Sequence, residues 1–360
     1  MGLRAMSTTT RRPGLKSASL ACTALVSLGL WTQAGAQSAP ATPQTLAAQI
    51  AAAQSGQTIL LASGAYGPLQ LYGRKFSGAG LVIEAQAGAK PVFTEVDIGG
   101  SDGITLKNVE VDIQTARFGV NVDNSHQINL VGLTIHGPSD KPPSGMMLRD
   151  DGDLTVADSN LSHLEHGINL WDSDHVQILR NTLHDIECDG IRGRSSHVDV
   201  IGNRGSDFHP LPGDHPDFIQ FWSNKDVGPS TGNRVRDNVF QRGRGDPVQG
   251  VFIEDNKDIA ISGNAMLGTM YNAISLARVQ GALVEENFIQ SYPDMDAKII
   301  ARGVSADVTV RNNITPHVEN YAEDGKPNPN FKEQGNRSIK VAKPGDTSAM
   351  EAWLAKRPPH

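Results

Sequence analysis

The segment Val176-Gln-Ile-Leu-Arg-Asn-Thr-Leu183 decides the fold, because its pattern returns along the chain at intervals of about two dozen residues. Each copy has two apolar residues separated by a polar one, followed after two residues by an asparagine. That asparagine recurs as Asn181, Asn203, Asn238, Asn264, Asn287 and Asn313. Short runs of alternating polarity lie between turns rich in Gly, Asn and Asp, with no helical segment separating them. The chain is therefore predicted to consist of many short strands.

A repeat of this length is typical of one coil of a parallel β-solenoid. Coils stack at about the 4.8 Å spacing of paired strands, so each asparagine lies above its counterpart in the next coil. Stacked asparagines can bond one another and the turn backbone, which satisfies buried polar groups. Earlier copies place Val109, Leu133 and Ser159 at the asparagine position. The register implies about nine coils, and propeller blades, with repeats of about 40 residues or more, fit it less well.

The N-terminal region carries a resemblance to a known family. Leu46-Ala-Ala-Gln-Ile50 and the strand that begins near Thr58 resemble the capping helix and first strand of right-handed parallel β-helix proteins of the pectin-lyase-like superfamily. The resemblance covers about residues 44–315 and implies an all-β, single-stranded right-handed parallel β-helix with an N-terminal capping helix. It does not specify an activity, because this fold hosts lyases, hydrolases and epimerases. The Arg-His-Gly stretch of the chondroitinase-B-like branch is absent from this sequence.

The first 36 residues predict an export signal. Arg11, Arg12 and Lys16 precede an apolar stretch over residues 18–31, and small residues follow at 34–36. This order is typical of a secretory signal cleaved after Ala36, which predicts a secreted or periplasmic protein. The paired arginines also resemble a twin-arginine signal, so both export routes stay open.

The remaining chain is predicted to contain a β-helix domain over 37–317 and a polar C-terminal extension over 318–360. Within the extension, residues 346–354 predict a short helix. No apolar run in the sequence reaches the length of a membrane span. The net charge is -7, and all charged residues of the predicted signal are basic, so the mature chain is more acidic still. That charge disfavours a nucleic-acid partner. Cleavage would leave Cys188 as a single cysteine, unable to form an intrachain disulfide.

One coil departs from the rhythm and marks the candidate site. The interval from Asn203 to Asn238 is much longer than the others, and extra residues lie on both sides of the strand Phe218–Trp222. Insertions in a solenoid often form the walls of a binding cleft. The preceding loop, residues 207–217, contains several prolines, which restrict its backbone.

The strand alternation identifies the outward residues. If Ile168, Ile191 and Ile219 stack inward, their neighbours face solvent on one side of the solenoid. The predicted catalytic residues near this face are Arg192, His215 and Asp217, and the predicted substrate-binding residues are His166, Trp171, Arg194, His209, Gln220, Trp222 and Glu254. The same types also occur as solvated ion pairs, turn residues or aromatic cover on a structural surface.

This residue set suits an acidic polysaccharide or oligosaccharide containing uronates. Eliminative cleavage requires that the uronate carboxylate be neutralised, that a base remove the adjacent proton, and that the leaving oxygen be assisted. Arg192 or Arg194, with Gln220, would neutralise the carboxylate, and His215 is the predicted base because its ordinary pKa lies near neutrality. Asp189 and Asp217 form a possible calcium site through hard oxygen ligands.

The sequence therefore predicts a secreted polysaccharide lyase acting by β-elimination. Hydrolysis by two carboxylates, Asp189 with Asp217 or Glu254, is the first alternative. Epimerisation uses the same proton abstraction without bond cleavage. A third alternative is a β-helix protein that binds glycans without catalysis.

Overall fold

A computed structural model describes residues 39–224 and 226–357, so the predicted export signal lies outside the described residues. Helix α1 spans Leu46–Ala52 and helix α2 spans Ser348–Leu354. The strands are β1 (Thr58–Leu61), β2 (Gly64–Tyr72), β3 (Leu81–Ala85), β4 (Pro91–Gly99), β5 (Asp102–Lys107), β6 (Glu110–Asp112), β7 (Phe118–Asp123), β8 (His126–Val131), β9 (Thr134–His136), β10 (Ser144–Arg149), β11 (Gly152–Ala157), β12 (Asn160–Leu164), β13 (Ile168–Leu179), β14 (Thr182–Ile186), β15 (Ile191–Ile201), β16 (Arg204–Ser206), β17 (Asp217–Phe221), β18 (Ser230–Thr231), β19 (Arg234–Arg236), β20 (Val239–Gln241), β21 (Gln249–Glu254), β22 (Asn256–Ser262), β23 (Ala265–Leu267), β24 (Asn272–Ala277), β25 (Gln280–Glu285), β26 (Phe288–Gln290), β27 (Lys298–Arg302), β28 (Ala306–Arg311), β29 (His317–Tyr321) and β30 (Lys332–Gln334).

The strands form a parallel β-solenoid, which confirms the predicted fold. Each strand pairs in parallel with the equivalent strand of the next coil. We call two of the resulting faces the cleft ladder, which includes β7, β10, β13, β15, β17, β21 and β24, and the back ladder, which includes β8, β11, β13, β15, β19 and β22. The long strands β13 and β15 turn the corner between them, with a register shift between Trp171 and Asp174.

The interior is a column of aliphatic side chains. Ile168, Ile191, Ile219, Val251 and Ile274 occupy equivalent positions on successive coils and are fully buried, as the alternation predicts. Burying large apolar side chains stabilises each coil by about 1.5–3 kcal/mol per residue. Because this register fixes the inward positions, it also fixes which residues face solvent on the cleft ladder.

The asparagine ladder has the predicted geometry. The Asn238 side-chain oxygen accepts from the backbone N–H and the side-chain amide of Asn203, at 2.9 and 3.0 Å. Asn238 in turn donates its side-chain amide to Asn264 and to the carbonyl of Val200, both at 2.9 Å. Every coil corner in this run therefore satisfies a buried N–H through the asparagine of the next coil.

The expected nine coils are wrong: the solenoid has about 12. At the N-terminal end, β3 pairs in parallel with β5, and β1 pairs with β3, so further coils precede the one that contains Val109. The asparagine ladder also continues beyond Asn313, whose backbone N–H donates to Asn336 at 2.9 Å. Counting the register from Val109 to Asn313 therefore missed both ends.

Helices cover parts of the solenoid. Leu46 and Ile50 of α1 pack into the main core, in agreement with the predicted capping helix. Within the predicted C-terminal extension, helix α2 packs Met350 and Trp353 against a smaller apolar cluster, and the Trp353 ring lies 5.6 Å from the Phe288 ring. None of the helices in residues 39–224 and 226–357 is long and apolar enough to cross a membrane.

Candidate active site

The outward rows of the cleft ladder contain the predicted residues in the predicted register. Asn169 of β13 pairs with Arg192 of β15, and Arg192 pairs with Gln220 of β17. In the next row Trp171 pairs with Arg194. Parallel pairing holds these side chains about 4.8 Å apart along the solenoid, so they form continuous stripes on one face.

A cleft of about 320 Å³ lies over these stripes. Of the predicted site residues, His166, Trp171, Arg192 and Trp222 line it. The cleft also contains residues that the sequence reasoning did not select, namely Arg117, Phe118, Ser144, Met147, Arg149, Glu165, Asn169, Leu170 and Gly193. Three arginines therefore face one carboxylate across its lining, which favours an anionic ligand.

Arg192 is held in place from two sides. Its Nη1 donates to the Asp189 carboxylate at 2.8 Å, and its guanidinium lies over the Trp222 ring at 4.9 Å from the centroid. The Asp189 side chain is buried, whereas that of Arg192 is 27% exposed. The guanidinium is therefore fixed by a charge-assisted hydrogen bond to Asp189 and by its contact with the Trp222 ring. Part of its surface remains exposed for a ligand.

Arg194 and the two tryptophans form a second fixed group. The Arg194 guanidinium lies 4.9 Å from the Trp171 ring and donates two hydrogen bonds to Asp172. The rings of Trp171 and Trp222 meet edge to face with centroids 5.7 Å apart. Partly exposed, mutually packed rings of this kind offer a flat apolar surface to a sugar ring.

His166 is a neutral imidazole in this setting. The backbone N–H of Asp189 donates to its Nδ1 at 3.2 Å, and Arg192 Nη1 lies 3.2 Å from its Nε2. Burial, and secondly the charge of Arg192, lower the His166 pKa to about 4. At neutral pH, therefore, His166 is uncharged, and Arg192 supplies the positive charge at the cleft floor.

Asp217 lies beneath this surface. Its side chain is fully buried, and its backbone N–H donates to Asp189 at 2.8 Å. Gln220 donates its side-chain amide to one Asp217 oxygen at 2.7 Å, and the other oxygen has no partner among the described residues. Burial, then the charge of Asp189, raise the Asp217 pKa well above its ordinary value. Burial also raises the Asp189 pKa, against the opposing effect of Arg192. This pair supports Arg192 and Gln220 from below.

Asp189 and Asp217 fit a calcium ion poorly. Calcium takes six to eight oxygen ligands, but the Asp189 oxygens already accept from Asp217 and Arg192. The Arg192 guanidinium also supplies the positive charge that a metal would bring. A calcium requirement stays a prediction from the sequence.

The remaining predicted residues do not line the cleft. His215 is exposed on the loop before β17 and forms no hydrogen bond or ion pair among the described residues. His209 approaches Asp185 at 3.4 Å, and Glu254 pairs with Arg278 at 2.6 Å. The insertion lies beside β17 as predicted, but neither of its histidines lines the cleft.

The two missed cleft arginines, Arg117 and Arg149, come from coils that lack the asparagine. Arg149 of β10 pairs with Trp171 in the same outward row, so extending the alternation back by one coil would have found it. Arg117 stands immediately before β7, with its guanidinium 5.1 Å from the Phe118 ring and no carboxylate partner among the described residues. No sequence signal singled it out.

Solved structures with the same architecture include several polysaccharide-active proteins. The A-module of the mannuronan C-5 epimerase AlgE4 from Azotobacter vinelandii is 11% identical, with 84% of this chain and 93% of that chain covered and a TM-score of 0.58. An alginate lyase from a Paenibacillus species is 14% identical, covering 82% and 97% with a TM-score of 0.51. A GH136 lacto-N-biosidase from Eubacterium ramulus is 12% identical, covering 80% and 63% with a TM-score of 0.56.

No known protein-family model matches the chain, and no curated protein matches its sequence. At these identities the structural likeness establishes the fold alone. The chain is a right-handed parallel β-helix of the kind first indicated by its repeat and its N-terminal cap.

Proposed function

We propose that the cleft binds a uronate-containing polysaccharide and cleaves it by β-elimination. The observation that carries the proposal is the cleft lining, in which Arg117, Arg149 and Arg192 face the single carboxylate of Glu165. Guanidinium groups recognise carboxylates through two parallel hydrogen bonds. Solved β-helix structures that act on alginate, among them the epimerase and lyase above, add support.

Arg192 is the group that would neutralise the substrate carboxylate. It supplies charged N–H donors at the cleft floor, and the low pKa of His166 keeps the neighbouring imidazole uncharged at neutral pH. Withdrawing charge from the carboxylate acidifies the adjacent C5 proton, and the resulting anion is stabilised by the same donors. The tryptophan pair would hold the sugar ring beside them.

His215 is the base in this proposal. It does not line the cleft, but it stands two residues before Asp217, whose backbone is fixed to Asp189, so its Cα lies within about 7 Å of the strand entrance. Its role therefore requires that the sugar extend from the cleft to this entrance, where His215 would take the C5 proton. The C5–C4 double bond would form as the C4–oxygen bond breaks, and water would protonate the leaving oxygen.

The enclosed carboxyl groups favour elimination over hydrolysis. A two-carboxylate hydrolase needs both groups at the scissile bond, but Asp189 and Asp217 are buried beneath Arg192 and Gln220. Glu254 is tied to Arg278. None of the three offers a free carboxyl group in the cleft lining.

Binding of matched sugars tests the role of the arginines. We expect a uronate oligosaccharide to bind the wild type at least tenfold more tightly than its carboxyl-reduced counterpart of equal length, as measured by calorimetry. Arg117→Ala should remove much of this preference, because Arg117 has no internal carboxylate to neutralise. The control Arg180→Ala removes an exposed arginine paired with Asp158 outside the cleft and should leave binding unchanged. Equal affinity for both sugars would contradict the proposal.

A further inference from the structure

A second cluster lies on the back ladder, around the corner from the cleft. His175 and His197 occupy equivalent positions on adjacent coils, both with left-handed backbone, at φ 55° and 52°. Their rings stack with centroids 4.9 Å apart and an angle of 22° between planes. Both side chains are exposed, and nothing in the proposed reaction uses them.

One carboxylate orients both rings. The His197 Nδ1 lies 2.6 Å from one oxygen of Asp174, and the His175 Nδ1 lies 3.0 Å from the other. A carboxylate accepts hydrogen bonds, so the Nδ1 of His197 carries the proton and its Nε2 keeps its lone pair. The carboxylate thus contacts both rings and fixes the tautomer of His197.

The surroundings leave room for a ligand. A groove of about 440 Å³ is lined by both rings and by Asp153, Gln177 and Asp199. On the next coil stands Gly232, where an added Cβ would lie only 2.7 Å from the His197 ring. Asp153 precedes His175 on the neighbouring coil in the same register, because its neighbour Gly152 pairs with Asp174. An acidic side chain therefore stands one coil away from His175 and two coils away from His197.

We infer that this corner binds a divalent transition-metal ion, such as Zn²⁺ or Cu²⁺, through the Nε2 atoms of His175 and His197. The two rings stack with centroids 4.9 Å apart, and rotation of the side chains would bring one nitrogen of each onto a single ion at metal bonds of about 2.0–2.1 Å. Asp174 acts as the orienting carboxylate that usually accompanies ligating histidines. Water would complete the coordination. The site is independent of the proposed glycan cleavage.

The inference is tested by titrating metal into the protein after it has been purified without a polyhistidine tag. We expect one equivalent of Zn²⁺ by calorimetry, and a Cu²⁺ electron paramagnetic resonance spectrum with coupling to two imidazole nitrogens. His175→Ala/His197→Ala should abolish both signals, and Asp174→Asn should weaken binding about 10–100-fold. The matched control His184→Ala/His209→Ala removes two histidines grouped around Asp185 and should bind normally.

The inference is overturned if the wild type binds no metal, or if the His175/His197 double variant binds it as tightly as the control. Melting temperatures of the metal-free proteins separate loss of binding from loss of fold. Both double variants should melt near the wild type, because the rings they remove are mostly on the surface. If the His175/His197 variant fails to fold, His175→Gln and His197→Gln tested singly must each lower the affinity at least tenfold.

Discussion

Arg192→Ala is expected to reduce turnover of a uronate-containing polysaccharide by a factor of about 100 or more. The Arg192 guanidinium is fixed by Asp189 and Trp222 and is partly exposed to the cleft, so it is positioned to bind the carboxylate as charge develops. Arg192→Lys keeps the charge beside Asp189 but loses the planar, two-pronged donor, and should recover only part of the activity. Turnover per folded molecule is the quantity to compare.

Asn238→Ala is the matched control with the opposite outcome. It removes the acceptor of two hydrogen bonds from Asn203 in the buried asparagine ladder. Asn238 does not line the cleft. The free energy of unfolding should fall by roughly 1–3 kcal/mol, while the folded fraction keeps its turnover. If instead Arg192→Ala and Arg192→Lys lose stability but keep their turnover, the arginine is part of a structural cluster and the proposed site is wrong.

Asp151→Asn is expected to stabilise the protein in a pH-dependent way. Asp151 lies between Ser125 and Ser173 in a second buried row, made mainly of serines, at the corner between the cleft and back ladders. The Ser125 N–H donates to one of its oxygens at 2.8 Å, and the other oxygen has no partner among the described residues. Burial raises the Asp151 pKa to about 7, with the charges of Asp123 and Asp150 adding to the effect. An asparagine would replace the unpartnered oxygen with an uncharged amide.

The direction in which stability changes with pH follows from the number of protons bound in the folded and unfolded states. Between its ordinary pKa near 4 and its folded value of about 7, Asp151 binds more protons in the folded state, so wild-type stability falls as pH rises through this range. The full effect is on the order of 4 kcal/mol. Chemical denaturation should therefore show that the advantage of Asp151→Asn grows by roughly 2–3 kcal/mol from about pH 5 to about pH 8.

Asp140→Asn, at an exposed position, is the control for this pH dependence and should show no such growth. A second variant, Asp151→Ser, restores the residue type used at Ser125 and Ser173 and should behave like Asp151→Asn. An advantage that stays constant with pH would mean that Asp151 is ionised in the folded protein without cost.

Much of the fold could be predicted because each coil of a solenoid repeats the same pattern of buried positions and strand pairing. Once Asn181 and Asn203 set the register, inward and outward positions follow on every coil that shares it, and Ile168, Ile191 and Ile219 stack as expected. The coil number was underestimated because the coils of β1 and β3 have no asparagine at this corner, and because Asn336 continues the ladder without the apolar pattern around it.

The candidate site was predictable only in part. Alternation correctly placed Arg192 beside Gln220 on the outward face. It could not show that the Asp217 side chain is enclosed, because backbone register does not reveal which polar groups cover one another. It also could not place His209 and His215, since the path of an insertion depends on contacts such as that of His209 with Asp185.

The central claim is that this cleft cleaves uronate glycans by elimination, and the products of the wild-type reaction test it most directly. Digestion of a uronate polymer, followed by ultraviolet absorbance and mass spectrometry, should reveal a C4–C5 double bond at each new non-reducing end. The same products should be nearly absent with Arg192→Ala. New reducing ends without unsaturation, a changed sugar configuration without cleavage, or no reaction across a panel of uronate polymers would each contradict the account.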